Sequence, residues 1–315
     1  MLWQKDIGHG CIIISALRRY CGMKKVLMLA LMLLPMVVLN GQTGLIISEL
    51  MYQPHSGEAE YVELYNNTDG VVQLSDYEVI RWVSDSLGRH YALPVYEIGA
   101  HDYVVLTKDA ASVSANYRVK YVGKVVECSM PTYPNGGGSV IICRAADSVI
   151  VDRFDYQPSM HSRLLRNKAG VALERRSFSK PTNAAGNWFS ASSMVGYGTP
   201  GYENSQSMAT WVVERLFVFL SSVVSPDGDG YQDVLEIDYE VDDGELMGTV
   251  DVFDARGARV RKLINNFLLG THGTIVWDGL DDDNRTLPHG HYVVQITIYN
   301  IEGTQQVVKR AVAIL

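Results

Sequence analysis

Short stretches of alternating apolar and polar residues run through most of this chain, separated by clusters of turn-forming residues. In the stretch Glu60–Asn66, Val62 and Leu64 alternate with polar and aromatic residues, the period-2 pattern of a strand with one buried face. Leu45–Met51 also indicates a strand, and the residues of Asn66–Gly70 suit a turn. Many short runs of this kind predict an all-β protein.

Two acidic residues, Glu49 and Glu63, lie inside the first two predicted strands, where acids are usually depleted. One interpretation is that they cap or pair near the edge of the sheet. The alternative is a catalytic pair of acids.

The segments that follow resemble, in order and spacing, the lamin tail domain, an immunoglobulin-like β-sandwich also found in secreted bacterial proteins. The resemblance rests on a third strand, a strand–loop–strand leading into a short helix, a glycine-led hairpin and a closing part: Gly70–Ile80, Ala92–Ala110, Gly136–Tyr156, Gly170–Phe178, Asn187–Trp188 and Gly198–Ser205. It implies a first sandwich over residues 44–206. It implies no catalytic residues, because the family is defined by its sandwich rather than by a reaction.

A second set of strands is predicted after a linker over residues 207–220. Val234–Val241 alternates as an edge strand with a wet face, and a hairpin is expected about Asp254–Gly257. Three further strands are predicted: Gly273–Trp277, Tyr292–Tyr299 and Gln305–Ile314. This spacing indicates a second sandwich over residues 221–315. The apolar stretch Trp211–Leu220 is interpreted as its entering strand, with a short amphipathic helix as the alternative.

The stretch Val276–Ile296, with its Trp-Asp-Gly and Pro-x-Gly-x-Tyr motifs, resembles the immunoglobulin-like domain of flagellar hook-capping proteins. The same order is found in the C-terminal domains of gliding-associated and type IX-secreted proteins, to which Ser225–Asp233 is also similar. The resemblance implies an exported protein of a Gram-negative bacterium. With no further sorting domain after it, this domain would itself be the expected export signal. Trp277 is expected to fill the second core, and Trp188 the first.

Residues 1–43 are interpreted as a leader rather than as part of the fold. Lys24 and Lys25 form a short basic head, and Val26–Leu39 is an apolar run of the length of a signal-peptide core. The run is too short to span a bilayer comfortably, which takes about 20 residues, and no Cys follows it for lipid anchoring. We expect the true start at Met23, with a long leader as the alternative, and a mature N-terminus near Gln42.

Removal of residues 1–43 makes the chain strongly acidic. It takes five basic residues and one acidic residue from totals of 27 and 35, which leaves 22 basic and 34 acidic residues and a net charge of about −12. Such a surface repels phosphate backbones, so no nucleic-acid partner is expected. Five basic residues could form a local patch, or a solvated loop and strand edge beside Glu174: Arg163, Arg166, Lys168, Arg175 and Arg176.

Cys128 and Cys143 are the two of the four cysteines that lie after the leader. They flank a turn-rich stretch, so a disulfide in an oxidising compartment is one interpretation. Two buried free thiols on separate strands are the other. A metal site with two cysteines and no nearby histidine is not expected.

Asp227, Asp229 and Asp233 lie in a glycine-rich loop and could present several oxygens to a calcium ion. The loop lacks the terminal bidentate Glu and the helices of an EF-hand. The alternative is a solvated Asx turn in which the aspartates accept hydrogen bonds from their own loop.

No enzyme motif is recognised in the sequence: it has no Gly-x-Ser-x-Gly, no His-Glu-x-x-His, no P-loop and no dinucleotide fingerprint. His289 and His291 form the one tight histidine pair after the leader, in a motif that favours a surface turn over a metal site.

The sequence thus predicts an all-β protein of two immunoglobulin-like sandwiches in tandem after a cleavable signal peptide. We expect a secreted, non-enzymatic protein of the cell surface or extracellular space that binds a protein or surface partner. Adhesion or structural display, with type IX-like export, would suit this organisation. The alternative is an accessory module that works with a secreted nuclease or other hydrolase.

Overall fold

Strands make up nearly all of the regular structure in the computed structural model, which describes residues 44–83, 86–207, 217–241 and 245–315. The predicted leader and most of the predicted linker lie outside the described residues. In the first half, the strands are β1 Gly44–Met51, β2 Tyr61–Asn67, β3 Val72–Gln73, β4 Tyr77–Val83, β5 Ser86–Ala92, β6 Glu97–Ile98, β7 Tyr103–Thr107, β8 Val125–Glu127, β9 Gly138–Arg144, β10 Ile150–Tyr156, β11 Leu173–Arg175 and β12 Trp188–Ser190.

These twelve strands form a sandwich. One sheet has six strands in the order β12-β11-β1-β2-β7-β8, and the facing sheet has four in the order β10-β9-β4-β5, while β3 and β6 pair separately. Apolar side chains from both large sheets meet in one buried cluster, which includes Val62 and Leu64 from β2 and Val140 and Ile142 from β9. Trp188 stacks on Phe154 in this cluster with ring centroids 3.6 Å apart. The all-β prediction is confirmed.

A short helix, α1 (Ala110–Asn116), lies on the outer side of the six-stranded sheet. It begins where Asp109 accepts a hydrogen bond from the backbone N–H of Ser112 at 2.9 Å, a standard N-cap. Its Val113 packs with Tyr61 of β2 and Val105 of β7 in a second buried cluster. The six-stranded sheet is therefore covered on both faces.

The local predictions for this sandwich hold with one exception. The glycine-led hairpin is β9–β10, and the strand–loop–strand before the helix is β5, β6 and β7. The predicted third strand Gly70–Ile80 is not continuous: a 3₁₀ turn at Leu74–Asp76 separates β3 from β4. Leu74 is buried in the core, and the turn redirects the chain from the small β3–β6 pair into the four-stranded sheet.

Eight strands follow in the second half: β13 Phe217–Phe219, β14 Val223–Val224, β15 Leu235–Glu240, β16 Met247–Asp254, β17 Arg259–Leu268, β18 His272–Trp277, β19 Gly290–Tyr299 and β20 Gln305–Ile314. They form a three-stranded sheet, β13-β15-β18, and a five-stranded sheet, β14-β20-β19-β16-β17. Trp277 is fully buried between the sheets and meets Tyr292 edge to face.

The predicted hairpin about Asp254–Gly257 joins β16 to β17, and Gly257 has a φ of +82°, which glycine adopts without strain. The prediction that β15 is an edge strand is wrong, because β15 lies between β13 and β18. Its polar side chains still alternate with buried ones. A strand can have a wet face in the middle of a sheet when only one side of that sheet is packed.

Candidate functional site

Three glutamates lie side by side on the outer face of the six-stranded sheet. In the register, Glu49 of β1 is the cross-strand partner of both Glu63 of β2 and Glu174 of β11. All three are fully buried. We call Glu49, Glu63 and Glu174 the three-glutamate cluster. Like charges directly opposite one another destabilise a sheet, so this arrangement needs compensation.

The compensation comes from residues 198–206, which we call the covering segment. Each carboxylate of the cluster accepts a hydrogen bond from a backbone N–H group of the covering segment. Thr199 donates to Glu49 at 3.1 Å, Gly201 to Glu63 at 2.6 Å and Gln206 to Glu174 at 2.9 Å. Side-chain hydroxyls complete the set: Tyr61 donates to Glu49, Ser48 to Glu63 and Ser205 to Glu174.

The Thr199 hydroxyl joins two members of the cluster. Its oxygen lies 3.0 Å from Glu49 Oε2 and 2.9 Å from Glu174 Oε1. A hydroxyl carries one proton, so it donates to one carboxylate and can accept only from a protonated one. Both contacts are therefore satisfied together when one of the two glutamates holds a proton.

Burial favours that protonated form. It raises the pKa of Glu49 to about 8, with the neighbouring Glu174 adding to the effect. Burial raises the pKa of Glu174 to about 7 and that of Glu63 well above its usual range. The dominant cause is loss of solvation of the charged form. At neutral pH the cluster consequently holds protons as well as charge.

Gly198, at the start of the covering segment, lets the chain come this close. A Cβ there would lie 2.5 Å from the hydroxyl oxygen of Tyr61 and 3.2 Å from Glu49 Oε1. Gly201 has a φ of +90°, a conformation that side chains rarely permit. The Gly-Thr-Pro-Gly sequence is thus fitted to this approach.

The position of the cluster corrects one sequence interpretation and bears on the other. Glu49 and Glu63 do not lie near the sheet edge, because β1 and β2 are its two central strands. They are tolerated there because the covering segment, more than 130 residues away in sequence, supplies donors. In this conformation the carboxylates are out of reach of a substrate. Their hydrogen bonds hold the covering segment in place.

A second buried charge lies on β11 next to the cluster. Arg175 is 0% exposed and pairs with Asp152 of β10 at 3.2 Å. Asp152 also accepts hydrogen bonds from the Ile47 N–H and the Thr182 hydroxyl. The expectation that Arg175 belongs to a solvated edge or basic patch is therefore wrong, since its charge is neutralised inside the sandwich.

The other four basic residues of that group do not share one environment. Arg163 and Arg166 are exposed. The Lys168 ammonium donates to the Pro158 carbonyl at 2.8 Å, and the Arg176 guanidinium lies 4.6 Å from the centre of the Phe189 ring.

The three aspartates of the predicted calcium loop do come together. One carboxylate oxygen from each of Asp227, Asp229 and Asp233 lies within 4.8 Å of the others. Asp233 accepts hydrogen bonds from Gly228 and Gly230, at 2.8 and 2.9 Å, and Asp229 accepts one from Tyr231 at 2.7 Å. A self-capped Asx turn accounts for this geometry, and calcium binding stays a prediction.

Cys128 and Cys143 are free thiols in this structure. Cys128 follows β8 and packs against the main core, whereas Cys143 in β9 packs with Ile80 and Ile141 in a separate cluster. Burial raises the pKa of Cys128 to about 11, so it is a neutral thiol at physiological pH. The structure favours two separate free thiols over a disulfide, but only Cys143 is fully buried and lies in a strand, since Cys128 is half-buried and follows β8.

His289 and His291 are exposed at the start of β19, and both line a cleft of about 330 Å³. Within the described part of the chain, neither belongs to a group of three possible metal ligands. This placement agrees with a surface turn.

With the geometry established, the chain can be compared with known proteins. Residues 40–158 match the model of the Lamin Tail Domain. The lamin tail match spans β1 to β10 and stops before β11, β12 and the covering segment. The predicted resemblance of the second sandwich to hook-capping and gliding-associated domains stays a prediction. No curated protein matches this chain.

Three solved structures illustrate how distant the structural likenesses are. Dimeric latent PorU from Porphyromonas gingivalis has 9% identity and a TM-score of 0.24, over 90% of this chain and 21% of PorU. PorZ, an essential surface component of the type-IX secretion system of the same organism, has 10% identity and a TM-score of 0.26, over 85% and 30%. The exo-chitosanase CsxA of Amycolatopsis orientalis has 12% identity and a TM-score of 0.22, over 83% and 26%. This chain spans less than a third of each protein, and TM-scores this low carry no argument about function.

Over the described residues, the helical segments are all too short or too polar to traverse a lipid bilayer.

Proposed function

We propose that this chain is a secreted, non-enzymatic binding protein of the cell surface or extracellular space, with an adhesive or structural role. One observation carries the proposal: the acids that a catalytic interpretation would need, Glu49 and Glu63, are fully buried and engaged by the covering segment. These carboxylates hold the covering segment in place through hydrogen bonds. Recognition then falls to loops and strand edges.

Exposed apolar side chains in two loops support this part of the proposal. Val95 is 85% exposed in the loop between β5 and β6, and Val122 is 68% exposed before β8. Binding residues are found disproportionately on loops held by a rigid scaffold. Sandwich edges can in addition accept a partner strand.

Export by a type IX-like route is part of the proposal. Its support is the leader-like sequence of residues 1–43 and the motifs of the stretch 276–296. The net charge of about −12 after the leader favours a protein or surface partner over a nucleic acid.

Location and partner can be tested together on intact cells. A tagged copy of the chain should be degraded by added protease without lysis, and should crosslink to a surface component. The double variant Val95→Asp and Val122→Asp should lose that crosslink while keeping its melting temperature, with Val276→Asp, also exposed, as the matched control.

Protection from external protease until lysis would contradict the proposal. Hydrolytic activity of the purified chain would also contradict it. A crosslink to a secreted hydrolase would favour the accessory-module alternative.

A further inference from the structure

The three-glutamate cluster is connected to the second sandwich through two residues of the covering segment. Glu174 accepts hydrogen bonds from the Ser205 hydroxyl at 2.8 Å and from the Gln206 N–H at 2.9 Å. On its other side, the Ser205 carbonyl accepts a hydrogen bond from the Thr271 N–H at 2.8 Å. Thr271 lies between β17 and β18 of the second sandwich. One residue therefore lies between a buried carboxylate and the neighbouring sandwich.

The contact at this point is tight and polar. A Cβ on Gly270 would lie 2.3 Å from the Ser205 carbonyl oxygen, so the two backbones touch. The Thr271 hydroxyl donates to the Ser207 carbonyl at 2.5 Å. Nearby, the Ser192 hydroxyl donates to the Leu268 carbonyl at 2.8 Å. We call these contacts, between residues 192–207 and 268–271, the docking seam.

Hydrogen-bonded seams of this kind depend on the position of a few backbone groups. At the docking seam the Ser205 carbonyl is such a group. Glu174 holds this part of the chain in place by accepting hydrogen bonds from the Ser205 hydroxyl and the Gln206 N–H. We propose that the ionisation state of the three-glutamate cluster controls how firmly the second sandwich is docked on the first. This inference concerns the internal mechanics of the chain and does not rest on the proposed function.

The groups that face the cluster offer little to neutralise a second or third negative charge. Three tyrosines face the cluster: Tyr61 in β2, Tyr117 just after α1 and Tyr202 in the covering segment. Tyr103 of β7 and Tyr239 of β15 also sense the cluster carboxylates. The positive charge of Arg118 partly offsets the raised pKa of Tyr202. The buried Arg175 is already paired with Asp152.

The direction of the pH effect follows from the raised pKa values. The ordinary pKa of a glutamate is 4.5, and burial raises it to about 7 for Glu174 and about 8 for Glu49. A group with a raised pKa stabilises the closed state fully below its ordinary pKa and loses that contribution as the pH rises to the raised value. In the proposed mechanism, undocking lets water reach Glu174 and returns its pKa toward the ordinary value, so docking is firmest below about pH 4.5 and weakens as the pH rises to about 7–8.

Amide hydrogen exchange of residues 44–315 at several pH values between 5 and 8.5, corrected for the intrinsic rate, measures this directly. We expect the protection of the Gln206 and Thr271 amides to fall by about tenfold or more over that range, since one pKa unit corresponds to about tenfold. Amides of β2 should stay protected. Parallel loss in β2 would show global unfolding and would overturn the proposal.

Glu174→Gln is the decisive variant, because an amide reproduces the protonated state. Its carbonyl can accept from Ser205 and Gln206, and its NH₂ can donate to the Thr199 hydroxyl. The protection of Gln206 and Thr271 in this variant should change clearly less with pH than in the wild type, because Glu174 is the member of the cluster that contacts Ser205 and Gln206. Glu203→Gln is the matched control, since Glu203 lies exposed in the same covering segment, and it should behave as the wild type. Thr271→Val should lower the protection of Gln206 at every pH.

A wild-type protein whose Gln206 and Thr271 protection is independent of pH would overturn the proposal. A Glu174→Gln variant that keeps the wild-type pH dependence would do the same. If Glu174→Gln does not fold, the wild-type pH series decides alone. Protection of Gln206 and Thr271 that falls while β2 stays protected supports the proposal, and protection independent of pH overturns it.

Discussion

At the scale of single residues, Arg175 shows how a charge can be kept inside a sandwich. Its side chain is 0% exposed, and its partner Asp152 receives three further hydrogen bonds, from Ile47, Arg153 and Thr182. Removing one member of a buried pair leaves the other uncompensated, which costs about 3–5 kcal/mol. Arg175→Ala should therefore lower the free energy of unfolding in denaturant melts by about that amount.

The matched control for Arg175 is Arg256→Ala. Arg256 pairs with Asp254 on the surface, with its own side chain 88% exposed. Exposed ion pairs contribute little, so the melting midpoint should stay unchanged. Equal losses in the two variants would contradict the view that burial, rather than pairing itself, makes Arg175 important.

In the second sandwich, the residue whose loss should be most damaging is the buried Trp277. Its side chain is fully buried, and its indole N–H donates to the Leu280 carbonyl at 3.1 Å. Trp277→Ala should cost about 3–5 kcal/mol, through lost burial and the cavity left behind. Trp277→Phe should cost less, because it retains most of the aromatic surface. A loss below about 1 kcal/mol for the alanine variant in denaturant melts would contradict this anchoring role.

At the scale of elements, the covering segment depends on the absence of a side chain at Gly198. A Cβ there would meet the Tyr61 hydroxyl at 2.5 Å, and overpacking of this kind costs about 1–3 kcal/mol. Gly198→Ala should thus destabilise the protein measurably in thermal melts. Gly70→Ala is the control, since no atom lies within 4 Å of the added Cβ, and it should change the free energy of unfolding by less than about 0.5 kcal/mol.

The Asp227–Asp233 loop allows a metal test at the same scale. A site of so few protein ligands predicts a dissociation constant on the order of 10⁻⁴–10⁻³ M. Millimolar calcium would then add about 1 kcal/mol of stability by mass action. Melting temperatures of residues 44–315 with calcium and with chelator should differ by about 2–4 °C, and Asp229→Asn should remove the difference. Identical melts in every condition would leave the loop as an Asx turn.

Local patterns in the sequence were sufficient to predict the hairpins but not the three-glutamate cluster. The β9–β10 and β16–β17 hairpins follow from alternation and glycine turns within about 20 residues. Glu49 and Glu63 stand out as acids within strands, yet their donors, Thr199 and Gly201, come from more than 130 residues away. The sequence places Glu174 beside basic residues and gives no sign of the cluster. Only the register of β1 with β11 reveals that it faces Glu49.

At the scale of the whole molecule, the described residues of both sandwiches belong to one compact unit, and the predicted leader precedes them in the sequence. If the leader is removed on export, the first residue of the protein recovered outside the cell should lie near Gln42. N-terminal sequencing of the secreted protein checks this. An intact Met1 or Met23 on a protein retained in the cytoplasm would contradict it.

The distance in sequence between Glu49 and Thr199 also sets the time that passes during synthesis before the two can meet. The two are 150 residues apart, and at roughly 5–20 residues per second a ribosome needs on the order of 10–30 s to make the intervening chain. Until then Glu49 and Glu63 lack the backbone donors of Thr199 and Gly201. The strand that is made first, β1, is thus among the last parts of the first sandwich to gain all its contacts. A chain interrupted before residue 199 would therefore lack the backbone donors that its first two strands need.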